Sequence, residues 1–370
     1  MPGPDTIPLL DLAPLHAALR PEIDAAIARV VDSDRFVFGK ALANFESQAA
    51  KFLRARHAIG VANGTDALLL ALRAAGIGRG DEVVTSAFTF FATVEAIIHA
   101  GARPVFADID PASMTLDPHD VETRITPKTR ALLPVHVFGH VANIDALLGI
   151  ADAHNLIVIE DAAQAFGASL NGKMAGAFGL AGCFSFHPSK PLGAFGDGGM
   201  IITDDDELAT QISRLRDHGS IGRHQHATIG YNSRLDDIQA AVLGMKLEHL
   251  DSHLSERRKL ATSYNALLAG LPMSLPIVTD EMRHCYAQYT VRTSKRDALR
   301  NALDASGIGN AIHYPLPVYR QPALAGHIDS QIRLPVTEET CASCLSLPFY
   351  KGLTEAQQQR VADVVRDVVK

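Results

Sequence analysis

The chain is 370 residues long and carries 41 acidic against 34 basic side chains, a formal charge of −7 with histidine neutral, so it lacks the basic excess of a general nucleic-acid binder. Its composition, 47% hydrophobic and 20% charged, suits a globular protein with a large core, and more than one domain is expected because single cores stop growing at about 250 to 300 residues. No run approaches the roughly 20 apolar residues of a membrane helix, the N-terminal MPGPDTIPLLDLAPL has no leader pattern, and four cysteines are too few for a disulfide framework; a cytoplasmic location is expected.

Residues 20–53 place Ile23, Ala26, Ile27, Val30 and Val31, then Phe45, Ala49 and Phe52, at helical spacing on either side of a turn over 32–39. That spacing predicts two helices of a packing or subunit-contact arm. Residues 57–63 read as a short apolar strand running into Gly64, Thr65 and Asp66, then a helix over 67–75 stopped at Gly76. A glycine and a hydroxyl residue at a helix start offer free amides at the positive end of the dipole, a ready phosphate site. Thr65 and Asp66 are equally ordinary N-caps, so both readings stand on this local pattern.

From 82 to 203 the chain alternates in the α/β manner, with strands expected at 82–85, 104–107, 131–137, 156–160, 182–186 and 199–203. A mostly parallel sheet follows, whose ligands sit at the carboxyl ends of its strands; Phe90, His136, Glu160, Asp161 and Gln164 fall there. Asp161 closes the apolar run LIVIED, where a carboxylate is costly unless paired or hydrogen-bonded. It either caps a following helix or meets a cation, and a protonated heteroaromatic nitrogen would serve.

Lys190 lies between an apolar strand (Cys183, Phe184, Ser185, Phe186) and a glycine-dense turn (Gly193, Gly196, Gly198, Gly199). A lysine gains little there by packing, but partial desolvation lowers its basicity and makes it a usable amine nucleophile. The plain alternative is a surface loop lysine. His136 and His140 span a strand end and the Gly139 turn, while His224 and His226 occupy a polar loop, so neither pair reads as a metal site. The Cys341–Cys344 CxxC has no second ligand pair nearby. No metal is expected.

Asn232 and Ser233 are plausible caps of a helix with Leu235, Ile238, Val242 and Met245 on one face. Beyond about residue 250 a charged helix leads into a shorter α/β pattern that ends in a helix over 354–369. A smaller second domain is therefore expected over 251–370, after a larger one over 1–250.

A lysine able to form a Schiff base, a carboxylate at a preceding strand end, a phosphate-ready helix start and an aromatic for stacking form one consistent set. Pyridoxal 5'-phosphate needs each of them: an amine for its aldehyde, an anion for its pyridine nitrogen, amides and hydroxyls for its phosphate, a face for its ring.

The stretches IPLLDLAPL, ANGTDALLLAL, DEVVTSAFTFFATVEAI, IEDAAQAFGAS, SFHPSKPLGAFGDGG, GYNSRLDDIQAAVL, IHYPLPVYRQPAL and LSLPFY closely resemble the DegT-type nucleotide-sugar aminotransferases, pyridoxal-phosphate enzymes of fold type I, along nearly the whole chain. The resemblance implies an α/β fold: a large domain with a mostly parallel seven-stranded sheet between helices, and a smaller C-terminal α/β domain. It implies that Lys190 holds the cofactor as an internal aldimine, that Asp161 pairs with the pyridine nitrogen, and that Gln164 lies near the ring hydroxyl. Phe90 would stack on the ring, and Gly64, Thr65 and Ser185 would bind the phosphate. Asn232 would reach that phosphate from the neighbouring subunit, which makes a homodimer with shared sites. Lysine at 190, where dehydratase relatives carry histidine, favours transamination with L-glutamate as donor in a ping-pong course.

SFHPSKPLG, YAQYTVR and HYPLPVYRQPA look most like enzymes that aminate C3 of a UDP-linked 3-keto-N-acetylglucosaminuronic acid. Arg234, His313 and Tyr314 would then line the sugar site; a guanidinium suits a carboxylate or diphosphate, although Arg234 serves equally in a structural ion pair. A dTDP-linked 3-keto-6-deoxyhexose and a C4 amination are the alternatives. Departures at Gly39, Lys40, Ala41, Phe138 and His140 touch the substrate contacts more than the cofactor. A regulator that merely keeps the fold is expected to have lost Lys190 or Asp161, and a nicotinamide enzyme to carry GxGxxG after its first strand; neither expectation is met.

Overall fold

The computed structural model describes residues 6–329 and 331–370. At its centre is a sheet of seven strands, β1 (His57–Val61), β2 (Glu82–Ser86), β3 (Arg103–Ala107), β4 (Thr129–Leu133), β5 (Ile157–Asp161), β6 (Ala181–Ser185) and β7 (Gly199–Thr203). The spatial order is β1, β7, β6, β5, β4, β2, β3; β7 pairs antiparallel with β1 and β6, and every other pairing is parallel. β1 to β6 therefore point one way and their carboxyl ends share one edge. Because β7 reverses, the connection over 186–198 need not cross the sheet. It stays on that edge with Lys190 in it.

Around the sheet lie α1 (Arg20–Ser33), α2 (Lys40–Leu53), α3 (Gly64–Ala74), α4 (Phe91–Ala100), α5 (Ile144–His154), α6 (Asp206–Leu215), α7 (Asp237–Glu248) and α8 (Leu250–Leu267). On one face α3, α4 and α6 bury Leu68, Leu70, Leu72, Ile97 and Ile212; on the other α2, α5 and α7 bury Leu42, Phe45, Leu147 and Leu243. β2 and β7 are buried along their whole length, with Glu82, Thr85 and Ser86 of β2 among the buried polar side chains. A further core joins β8 (Tyr289–Arg292), β9 (Cys344–Leu347), α9 (Arg296–Ala305) and α10 (Glu355–Val369) with the C-terminal half of α8. Ile7 from the N-terminal segment packs in that core and exchanges backbone hydrogen bonds with Gly307 and Gly309 at 2.9 and 2.7 Å.

Three local expectations are corrected. β4 ends at Leu133 rather than at Val137, because Pro134 has no N–H to continue the ladder; a 3-10 turn over Val137–Gly139 follows. α3 begins at Gly64, and its N-cap is Asn63, whose side chain accepts the Asp66 amide at 2.8 Å, not Thr65 or Asp66. Asn232 and Ser233 do not cap α7, which starts after Asp236; Ser233 Oγ instead accepts the Ala62 amide at 3.2 Å. Among the described residues no helix is long and apolar enough to cross a membrane.

Candidate active site

The carboxyl edge gathers the residues that the sequence singles out. Lys190 is partly buried, its amide closing a turn onto the His187 carbonyl at 2.9 Å. Desolvation holds its ammonium below the usual lysine pKa, against the opposing pull of the Asp161 carboxylate. At the end of β5, Asp161 is 5% exposed. Its Oδ2 accepts the Thr93 hydroxyl at 2.7 Å and its Oδ1 the Ala163 amide at 3.1 Å, and Thr93 is itself 2.7 Å from the Thr89 hydroxyl. Burial pushes the Asp161 carboxyl above its ordinary value; the hydrogen bonds and the Lys190 charge pull the other way. No α-helix follows Asp161, so the helix-cap reading of this carboxylate falls away.

Gln164 bridges two elements: Oε1 accepts the Phe138 amide at 2.7 Å and Nε2 donates to Tyr314 Oη at 2.9 Å. Tyr314 is thereby tied beside Asp161, and burial pushes its phenol up. The Phe90 ring stands 59% exposed just before α4, with its centroid 6.5 Å from that of Tyr314. A large aromatic left open at a strand-end edge presents a free face. His313 lies 2.9 Å through Nδ1 from Ser346 Oγ and is near enough to Lys190 for that charge to add to burial in lowering its pKa.

On the other side of Lys190, β1 and β6 converge. A Cβ on Gly64 would stand 2.7 Å from Ser185 Cβ, so only glycine lets the start of α3 approach this strand end. The first amides of α3, at Gly64 and Thr65, have no partner within the helix. Ser185 Oγ accepts the His187 amide at 3.3 Å and has no other hydrogen bond among the described residues. The result is a cradle of amides and hydroxyls against a helix N-terminus, the arrangement that suits a phosphate.

Asn232 and Arg234 are not brought into this cluster within the chain. Asn232 is exposed, its backbone bridged to Asp217, and its side chain has no hydrogen bond among the described residues. Arg234 Nη1 pairs with Asp217 Oδ1 at 3.3 Å on a part-exposed surface, the structural ion pair that the sequence leaves open. Thr93 was not picked out from sequence; the signal available was a threonine early in a helix that follows a strand, inside the otherwise aromatic TFFATV.

His136 and Glu160 are fully buried and belong to the frame. His136 Nδ1 accepts the Ala142 amide at 3.0 Å, so its proton is on Nε2, which donates to Glu160 Oε2 at 2.8 Å. The amides of Gly176, Phe178 and Gly179 also donate to Glu160, each at 2.7 Å. His140 points elsewhere, its ring edge-on to His284 at 5.6 Å.

An amine of depressed basicity, a buried carboxylate held only by neutral donors, an open aromatic face and an amide-rich cradle define a site for a flat, phosphorylated carbonyl cofactor, and the residues present fit pyridoxal phosphate. Comparison with known proteins agrees. The model of the DegT/DnrJ/EryC1/StrS aminotransferase family matches residues 17–366. The chain is 48% identical to a dTDP-3-amino-3,4,6-trideoxy-alpha-D-glucose transaminase of Streptomyces venezuelae, with 98% of this chain and 96% of that one covered. It is 46% identical to a pleiotropic regulatory protein of Geobacillus stearothermophilus, 98% of each covered. With a UDP-2-acetamido-2-deoxy-3-oxo-D-glucuronate aminotransferase of Pseudomonas aeruginosa it shares 42% identity over 95% of this chain and 97% of that one. In three dimensions it is similar to S. venezuelae DesV in complex with a ketimine intermediate, with a TM-score of 0.96, 47% identity and 99% of each chain covered. The chain belongs to this family of nucleotide-sugar aminotransferases, which depend on pyridoxal phosphate and share its α/β fold.

Proposed function

We propose that the protein moves the amino group of L-glutamate to the C3 keto carbon of a nucleotide-linked sugar of the UDP-3-keto-N-acetylglucosaminuronic acid type, in a ping-pong course. The observation that carries the reading is the placement of Lys190, with its depressed basicity, against the buried Asp161 at one strand-end edge. Bound there, pyridoxal phosphate would supply an aldehyde carbon able to carry nitrogen between substrates and a protonated ring that serves as an electron sink.

Each residue has a defined task. Lys190 Nζ would hold the cofactor and, when free, would move a proton to and from the reacting carbon, a role worth about 10²- to 10⁴-fold. Asp161, fixed by Thr93, has lone pairs left over that would hold the pyridine N–H and keep it protonated. Gln164 has a second amide N–H beyond the one given to Tyr314, which would serve the ring hydroxyl. Phe90 covers the ring, and Gly64, Thr65 and Ser185 hold the phosphate. His313 and Tyr314 meet the sugar nucleotide; Arg234, paired with Asp217 and apart from them within the chain, meets it only across a homodimer. The exposed side chain of Asn232, without a hydrogen bond among the described residues, supports its reaching the phosphate of a second copy in a homodimer. Residues 1–250 are taken as the cofactor-binding domain and 251–370 as the smaller one, and the four free thiols support a reducing cytoplasm.

A dTDP-linked 3-keto-6-deoxyhexose is the second reading, favoured by the 48% identity to the Streptomyces enzyme. The two are separated by offering each keto-sugar to protein whose cofactor has been loaded with nitrogen by L-glutamate. The proposal expects glutamate to bleach the visible absorption of the bound cofactor and the UDP-linked acid to restore it. Recovery with the dTDP sugar alone would transfer the assignment to the second reading.

A further inference from the structure

The connection that carries Lys190 is held from outside the site by α7. Within the connection, the Ala194 amide returns to the Phe186 carbonyl at 2.8 Å, and a Cβ on Gly193 would stand 2.5 Å from the Pro188 carbonyl oxygen. The chain therefore doubles back tightly with Lys190 near its apex. Two side chains of α7 grip the returning limb. Gln239 accepts the Phe195 amide at 2.7 Å, and Lys246 Nζ donates to the Gly193 carbonyl at 2.8 Å. Seven residues apart, they lie on one helix face about 10 Å from each other along the axis.

Lys246 is an uneconomical residue for packing alone. It is 7% exposed, and no carboxylate pairs with it among the described residues. Its other neighbours are the Phe195 ring, 4.5 Å below the ammonium, and His16 Nε2 at 3.1 Å, with the His16 ring edge-on to Phe195 at 4.8 Å. Since the ammonium only donates, His16 accepts through Nε2 and carries its proton on Nδ1. Burial without an anion brings Lys246 down to about 8. An apolar side chain of similar length would fill the same space without that desolvation. What it could not supply is the directional bond to the Gly193 carbonyl.

We propose that Lys246, with Gln239, is a positioning residue for the catalytic lysine: it fixes the backbone of the 187–195 turn so that Lys190 Nζ can leave and regain its place beside Asp161 without the turn shifting. The proposal rests on Lys190 being the cofactor lysine. It is tested with Lys246→Met and Lys246→Arg by amide hydrogen exchange in the cofactor-free protein, and by the rate at which added pyridoxal phosphate becomes borohydride-fixed to Lys190. In Lys246→Met, exchange over 190–196 should rise roughly tenfold or more, the loss of one charge-assisted hydrogen bond, with α7 and β6 unchanged. Attachment to Lys190 should slow, and Lys246→Arg should restore both. Unchanged exchange in the turn, or equal acceleration across α7 and β6, would overturn the proposal. Should Lys246→Met fail to fold, Gln239→Leu interrogates the same turn from its other anchor, with the same two outcomes. If the wild type fixes no cofactor at Lys190, the functional assignment has failed, and the exchange data report on the turn regardless.

Discussion

Glu160→Gln isolates the buried frame behind Asp161. Glu160 is 0% exposed and accepts four hydrogen bonds, two at each oxygen: Phe178 and Gly179 amides at Oε1, His136 Nε2 and the Gly176 amide at Oε2. A glutamine keeps one oxygen and turns the other into an NH2, which then faces two donors whichever way the amide is flipped. His136 cannot adapt by moving its proton to Nδ1, because that nitrogen accepts the Ala142 amide. Two buried donors are left without acceptors, at about 1–3 kcal/mol each, so a loss of about 2–6 kcal/mol is expected. Denaturant unfolding of the cofactor-free protein reads this as a lowered midpoint with little change in slope. A shift below about 1 kcal/mol would refute the count of orphaned donors and with it the role of Glu160 as the clamp of the 174–179 loop.

Other perturbations probe the site itself. Lys190→Ala should fold normally but lose all borohydride-fixed cofactor and about 10²- to 10⁴-fold in turnover; mass spectrometry showing retained covalent cofactor would refute the assignment. Asp161 has a raised folded-state pKa, so its ionised form costs the cofactor-free protein stability, increasingly as pH rises from the ordinary 3.8 through the folded value. Asp161→Asn should therefore melt no lower than wild type at neutral pH when free of cofactor, yet gain less from added pyridoxal phosphate and transaminate on the order of a hundredfold more slowly or worse; near-normal turnover would contradict it. Gly64→Ala puts a Cβ at 2.7 Å from Ser185 Cβ and should raise the dissociation constant for pyridoxal phosphate roughly tenfold through overpacking of the cradle, measurable by equilibrium dialysis.

Much of this was legible in the residues because it depends on local order. Alternation of strands and helices places Phe90, Asp161 and Lys190 at strand ends, and a parallel sheet brings strand ends together whatever the register. What stayed hidden depends on pairings across long stretches of chain. The Thr93 hydroxyl on Asp161 joins α4 to β5, Lys246 reaches the Lys190 turn from α7, and Ser233 meets Ala62. No periodicity records such contacts. The caps misled for a related reason: Asn63 wins over Thr65 and Asp66 because α3 begins where β1 releases the chain, earlier than its apolar spacing starts. Asn232 and Arg234 remain apart from Lys190 within the chain, and a role for Asn232 at the cofactor phosphate requires a second copy.

The central claim, that Lys190 and Asp161 serve transfer of nitrogen from L-glutamate to C3 of a nucleotide-linked keto-sugar, is tested most directly by turnover with nitrogen-labelled L-glutamate and each keto-sugar, followed by mass spectrometry and NMR of the product. Labelled nitrogen bonded to C3 of the UDP-linked sugar, absent with Lys190→Ala, is the expected result. Cofactor-loaded protein that leaves both sugars unlabelled would contradict it.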